Sequence, residues 1–235
     1  MYISYTSNLT EVFFLEPRNK NAELVFIIDR SGSMAGMESD TIGGFNSMLE
    51  QQKKTEGNKF VTTYLFNHRS RILHDRMAIN DVRPLTEEDY RAGGSTALIG
   101  CIGEAIKHIE DVHRYIRPED VPIKTIFAVT TDGLENASRH FSSDEVKAMI
   151  EKKKKENDWE FLFIGANIDA VETAKRYGIG EDRALNYRPN HRGTRSTYDA
   201  MSCFVEETIM YSDIGGGEPM KFRDKIDNRD DEMPF

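Results

Sequence analysis

Three short polar clusters hold the side chains best suited to chemistry: Asp29-Arg30-Ser31-Gly32-Ser33, Gly93-Gly94-Ser95-Thr96 and Thr130-Thr131-Asp132-Gly133. They offer carboxylate and hydroxyl oxygens and contain neither cysteine nor histidine. Oxygen-only donors suit a hard divalent cation, Mg²⁺ or Mn²⁺, rather than zinc. In Asp29-x-Ser31-x-Ser33 three oxygens can converge on one point while Gly32 lets the backbone turn. Two carboxylates (Asp29, Asp132) and three hydroxyls (Ser31, Ser33, Thr96) would neutralise such an ion and leave its octahedron incomplete. A site of that kind is open to a carboxylate from another molecule.

The flanking elements must bring these clusters together. Leu24-Val25-Phe26-Ile27-Ile28 is a continuous apolar run, the pattern of a central parallel strand buried on both faces, and it ends at Asp29. Thr125–Thr130 is a second such strand and leads into the third cluster. The second cluster precedes a helical pattern from Ala97 to His113, broken by Pro118 and Pro122. In open α/β sheets, ligands bind in the crevice at the carboxyl ends of the strands. Ile42–Lys53 shows a helical apolar face, followed by a strand at Phe60–Phe66. Asn67–Ser70 is too short for a crossover, so Arg71–Asp75 is expected to return antiparallel. Ser142 and Glu145 form a capping box opening a helix over Val146–Lys155. A strand at Trp159–Ile164, a helix at Ala170–Tyr177 and a helix at Thr197–Tyr211 complete the body. The expected class is α/β: a doubly wound, mostly parallel six-stranded sheet with one antiparallel edge strand and helices on both faces. The expected organisation is an N-terminal extension over 1–20, one domain over 21–212 and a flexible tail over 213–235.

Composition narrows the function. The chain has 235 residues, 38% of them hydrophobic, enough for a real core. With 31 basic and 40 acidic side chains its formal charge is −9, which argues against a nucleic-acid partner. Cys101 and Cys203 make no disulfide framework and suit a reducing compartment. Neither a signal peptide nor a transmembrane run of about 18 apolar residues is visible, so the expectation is a cytoplasmic protein without a membrane partner.

Other signals carry less. Gly100-Cys101-Ile102-Gly103 lies inside a helix, where helix packing explains it better than a dinucleotide fingerprint. No Gly-x-x-x-x-Gly-Lys-Ser/Thr occurs, and Ser31 lacks the Gly-x-Ser-x-Gly elbow of a serine hydrolase. The six histidines show no ligand spacing and are expected at the surface or half-buried. Lys152–Lys155 reads as a solvated helix end. Arg188, His191, Arg192 and Arg195 read as a basic loop able to clamp a phosphate or an acidic peptide, with an ordinary solvated loop as the plainer reading. Glu135 stands close enough to the third cluster to tune the ion's charge.

Asp29-Arg30-Ser31-Gly32-Ser33-Met34, Thr96 and Asp132-Gly133, each in its strand or helix context, resemble the metal-ion-dependent adhesion site of the von Willebrand factor type A (vWA) domain family. The likeness spans roughly 20–212 and is nearest to cytoplasmic, bacterial-type members, prokaryotic or phage-derived. It implies Ser31, Ser33 and Thr96 as direct or near-direct metal ligands, with Asp29 and Asp132 acting directly or through water. It also implies a parallel sheet with one antiparallel edge strand. The function implied is that of a non-enzymatic scaffold or adaptor: a protein partner supplies an Asp or Glu to the ion, and that partner is in some members an ATPase or another operon-encoded protein. In adhesive relatives, displacement of the last helix accompanies a change in metal coordination. Two other functions compete with this one: a metal-dependent phosphoester hydrolase, and a substrate-recruiting subunit of an ATPase or stress-response complex.

Overall fold

The computed structural model describes residues 21–214 and Phe222. One six-stranded sheet forms the centre, in the order β3-β2-β1-β4-β5-β6. Its strands are β1 (Ala22–Asp29), β2 (Lys59–Phe66), β3 (Ser70–Ala78), β4 (Lys124–Thr131), β5 (Glu160–Gly165) and β6 (Ala184–Asn186). All neighbouring pairs are parallel except β2 with β3. The chain winds outward one way from β1 to β2 and the other way from β4, so the order reverses between β1 and β4. The crevice of a doubly wound sheet opens at such a switch point.

Alternation along β1 builds two cores. Leu24, Phe26 and Ile28 face α1 (Glu38–Lys54) and α5 (His191–Ile214), packing with Phe45, Met48, Met201 and Phe204. Val25 and Ile27 face α2 (Leu98–Tyr115), α3 (Ser143–Asn157) and α4 (Ala170–Arg176), packing with Ile102, Ile106 and Val146. Gly44 would be costly in mid-helix without a reason. Here a Cβ would lie 2.3 Å from Cδ2 of Tyr198, so the glycine lets α1 and α5 approach. Gly103 does the same on the other face, where its Cβ would sit 2.8 Å from the Phe141 ring, in line with the packing expected of the Gly100–Gly103 stretch.

The structure differs from the sequence reading in several places. β6, only 3 residues long, is too short an edge strand to leave a periodicity in the sequence. β3 continues to Ala78 through a register shift, with Arg76 at φ 44°. The basic segment expected as a loop is largely helix: α5 begins at His191, so only Arg188 of the four basic residues lies outside it. Asn190 accounts for the early start, its Oδ1 accepting the Gly193 N–H at 2.8 Å as an N-cap does. The Pro-Asn-Gly composition that suggested a loop is a helix start. His74 is fully buried, neither at the surface nor half-buried, and Lys153 is buried against Glu110, 2.9 Å away, unlike a solvated helix end. The stretch 1–20 and the tail lie outside the described residues, save Asp213 and Ile214 as the end of α5 and Phe222. Phe222 is buried edge-on against Phe204, and its N–H donates to the Asp182 carbonyl at 3.0 Å. Among the described residues no helix is long and apolar enough to cross a membrane.

Candidate metal centre

β1 and β4 are in register up to Ile28 opposite Thr130, so Asp29 and Thr131 emerge side by side at the carboxyl edge. Asp29 is fully buried there. Its Oδ2 accepts the Thr131 hydroxyl at 2.6 Å and its Oδ1 accepts the Ser31 N–H at 2.6 Å. The Tyr90 hydroxyl donates to the Asp29 carbonyl. Beyond the strand the chain makes a short 3-10 turn at Gly32–Met34, which turns Ser31 and Ser33 toward each other, Oγ to Oγ 3.0 Å. Ser33 Oγ in turn donates to Asp132 Oδ1 at 2.5 Å.

Thr96 arrives from the loop before α2. Two backbone bonds fasten that loop to the β1 turn, Gly32 N–H to Gly94 O at 2.8 Å and Gly93 N–H to Arg30 O at 2.9 Å, and a third, Ala97 N–H to Asn67 O at 2.7 Å, ties it to the β2–β3 turn. Asn136 clamps Thr96 from the other side, exchanging N–H···O bonds of 2.9 and 3.0 Å with it. Gly133 marks the convergence, because a Cβ there would lie 3.0 Å from Thr96 Oγ1 and 3.1 Å from Ser33 Oγ. All five expected oxygen donors therefore gather at one rim: Asp29, Ser31, Thr96 and Asp132 buried, Ser33 exposed.

The electrostatics of the set are unusual. Neither Asp29 nor Asp132 forms an ion pair among the described residues. Burial pushes both carboxyls above the usual carboxylate range, against the hydrogen bonds from Thr131 and Ser31 to Asp29 and from Ser33 to Asp132. Two adjacent buried acids without a protein cation fit a divalent ion, which would supply the missing positive charge. The donor chemistry fits as well: the set offers two carboxylates and three hydroxyls, oxygen donors that suit a hard ion. Among the described residues no group of three or more His, Cys, Asp or Glu gathers, so the hydroxyls are needed to complete a sphere.

Glu135 does not face this set. Its Oε2 accepts the Ile99 N–H at 2.7 Å and the Ser138 hydroxyl at 2.7 Å, while Oε1 accepts the N–H groups of Ala137 and Ser138. It caps the start of α2 rather than tuning an ion. Three supporting residues are not marked by the sequence. Thr131 lies within the third cluster with nothing local to give it a role, and Asn136 lies just past it. Tyr90, 61 positions from Asp29, left no signal at all.

No family model matches the chain, and no curated protein does. Solved structures do. The vWF domain of the type V pili tip protein Mfa5 from Porphyromonas gingivalis aligns with TM-score 0.55 and 12% identity, over 80% of this chain and 96% of that one. A von Willebrand factor type A structure from Catenulispora acidiphila aligns with TM-score 0.52 and 15% identity over 80% of this chain. Proximal thread matrix protein 1 of the mussel byssus, solved with a zinc occupied MIDAS motif, aligns with TM-score 0.50 and 16% identity over 82% of this chain. This chain spans only 43% and 46% of the latter two. Sheet order, antiparallel edge and these likenesses agree on one architecture: the chain has the fold of the von Willebrand factor type A domain.

Proposed function

We propose that this chain is a protein-binding module that holds Mg²⁺ or Mn²⁺ with Asp29, Ser31, Ser33, Thr96 and Asp132, and that a partner protein completes the ion's sphere with an Asp or Glu. The observation that carries the reading is the pair of buried, unneutralised acids, Asp29 and Asp132, joined to three hydroxyls at the switch point of the sheet. The mussel structure with zinc at its MIDAS motif supports divalent binding on this fold. Exposure of Ser33 and of Leu134 just beyond Asp132 leaves the rim accessible to a partner.

The chain's own residues position and do no covalent chemistry in this reading. Thr131 and the Ser31 N–H orient Asp29, Asn136 fixes Thr96, and Ser33 bridges to Asp132. The ion supplies Lewis acidity toward an incoming carboxylate. Cytoplasmic residence belongs to the same proposal, and a chain with two cysteines, Cys101 buried in α2, carries no disulfide framework that would point to an oxidising compartment. Calorimetric titration of Mg²⁺ and of Mn²⁺ into chelator-stripped protein tests it. One saturable site is expected, lost in Ser33→Ala and in Asp132→Ala. Unchanged binding in both variants would move the ion elsewhere.

A further inference from the structure

Next to the candidate ion site is a cavity of about 630 Å³ with walls from three separate segments: the β2–β3 turn, the start of α2 and the loop after β4. Ser95, immediately before Thr96, and Asn136, the clamp on Thr96, both line it, so the cavity opens from the ion's rim. His68 and Arg69 come from the β2–β3 turn, Arg139 and His140 from the loop after β4, and all four are exposed. The His68 side of the cavity is built against the ion-site loop: a Cβ at Gly94 would lie 2.7 Å from His68 Nδ1, and Gly94 is the residue whose carbonyl receives the Gly32 N–H.

The charge of the cavity runs against that of the protein. The whole chain carries −9, yet one carboxylate lines the cavity, Glu104, and it accepts the Ser70 hydroxyl. Glu135 nearby is saturated by its four hydrogen bonds. Among the described residues neither Arg69 nor Arg139 has an ion-pair partner. Two exposed guanidiniums that line one polar cavity from separate segments suit carboxylate or phosphate, which guanidinium binds through paired N–H donors.

We propose that this cavity takes a second acidic group of the same partner, so that the partner's binding segment is a di-acidic peptide with one carboxylate directed to the ion and a second anion held between Arg69 and Arg139. The inference rests on the ion-site reading and specifies its partner class. A partner with one acidic residue would leave the arginines unused, and a phosphorylated residue in the second position would use them as well as a carboxylate does.

Fluorescence polarisation with short labelled peptides separates the parts. The peptides carry one Asp in a Gly/Ser background, or that Asp followed after one, two or three residues by Glu or by phosphoserine. Each is titrated in Mn²⁺ and in chelator, with wild type, with the surface variant Arg69→Ala/Arg139→Ala and with Asp132→Ala. At least one di-acidic spacing is expected to bind wild type ten-fold or more tighter than the mono-acidic peptide. That advantage should vanish in the double-arginine variant while its mono-acidic binding stays at the wild-type level, and the Glu and phosphoserine series decide which anion is preferred. Equal mono- and di-acidic affinity in Mn²⁺ would overturn the cavity's role and leave the ion site standing. A di-acidic advantage that survives in chelator and in Asp132→Ala would overturn the two-point mode by removing the ion from it. Binding of no peptide by folded wild type overturns the inference, while the metal titration separately reports on the ion site.

Discussion

The two ends of the sheet treat buried charge in opposite ways. At the amino end, Glu23 is fully buried in β1 and accepts from Arg76 Nε at 3.1 Å, with His113 Nε2 3.6 Å away. Lys124 reaches Asp158 at 2.6 Å and Glu160 at 3.5 Å, and Arg183 meets Glu160 at 3.0 Å. Lys59 donates to Thr55 Oγ1 at 2.7 Å and to the carbonyls of Gln52, Thr55 and Glu56, capping the end of α1. Each buried charge there has a partner within the chain. At the carboxyl end Asp29 and Asp132 have hydroxyls and an N–H but, among the described residues, no cation. Buried charge that is paired holds the sheet together; buried charge left unpaired costs stability and is retained where a ligand will neutralise it.

Removing an acid should therefore have opposite consequences at the two ends. Glu23→Ala strands Arg76 beside an apolar strand, and its expected cost is about 3 kcal/mol, near the low end for breaking a buried pair because Arg76 is partly solvated. Urea unfolding measures it, and adding Arg76→Ala should recover part of the loss. Saturating Mg²⁺ or Mn²⁺ should raise wild-type stability by about 2.7 kcal/mol at a hundred times the dissociation constant. Asp132→Asn keeps an oxygen for the Ser33 hydroxyl while removing a buried charge. It is expected to raise metal-free stability by about 1 kcal/mol and to abolish the metal-induced increment. Melting curves with and without metal read both effects. A destabilised metal-free Asp132→Asn would mean that the acid is already neutralised inside the protein.

Legibility followed the same division. β1, β2, β4 and β5 and the helices α1, α2 and α5 are legible from apolar patterns, because burial on one or both faces dictates residue type along an element, whereas α3 is legible from its capping box and β3 from the short turn before it. The five oxygen donors were legible because each sits at a strand end or helix start, where the chain must turn and a polar residue has no packing reason to be there. What stayed hidden depends on partners distant in sequence. Tyr90 reaches Asp29 from a loop with no pattern of its own. Glu135 has the right type and place for an ion site, yet its oxygens turn to the Ile99 N–H of α2 and to the N–H groups of Ala137 and Ser138. Lys153 looked like one of four solvated lysines and is held by Glu110 and the Trp159 ring, 5.0 Å from Nζ to the centroid. Local sequence gives residue type and position along the chain; side-chain direction is set by tertiary neighbours.

The smallest expected effect lies between the two extremes, in the loop that carries Tyr90. Asp89 there accepts both terminal nitrogens of Arg83, at 2.6 and 2.8 Å, and the Thr86 hydroxyl at 2.7 Å. Arg83 first, with Thr86 adding to it, holds the Asp89 carboxyl well below the usual carboxylate range. A folded-state value below the unfolded one gives stability that is fully present above about pH 4 and lost as the pH falls toward the folded value. Half of the Arg83 side chain faces solvent, so screening limits the pair to about 1 kcal/mol despite its geometry. Asp89→Asn is expected to lower the urea midpoint accordingly at pH 7, and the difference from wild type should shrink below pH 4. The loop also brings the Tyr90 hydroxyl to the Asp29 carbonyl. Loosening it should therefore weaken metal affinity by a few-fold without abolishing it. An Asp89→Asn protein with a lower urea midpoint and unchanged metal affinity would separate the clip from the ion site. The backbone bonds through Gly32, Gly93 and Ala97 would then suffice to hold the rim.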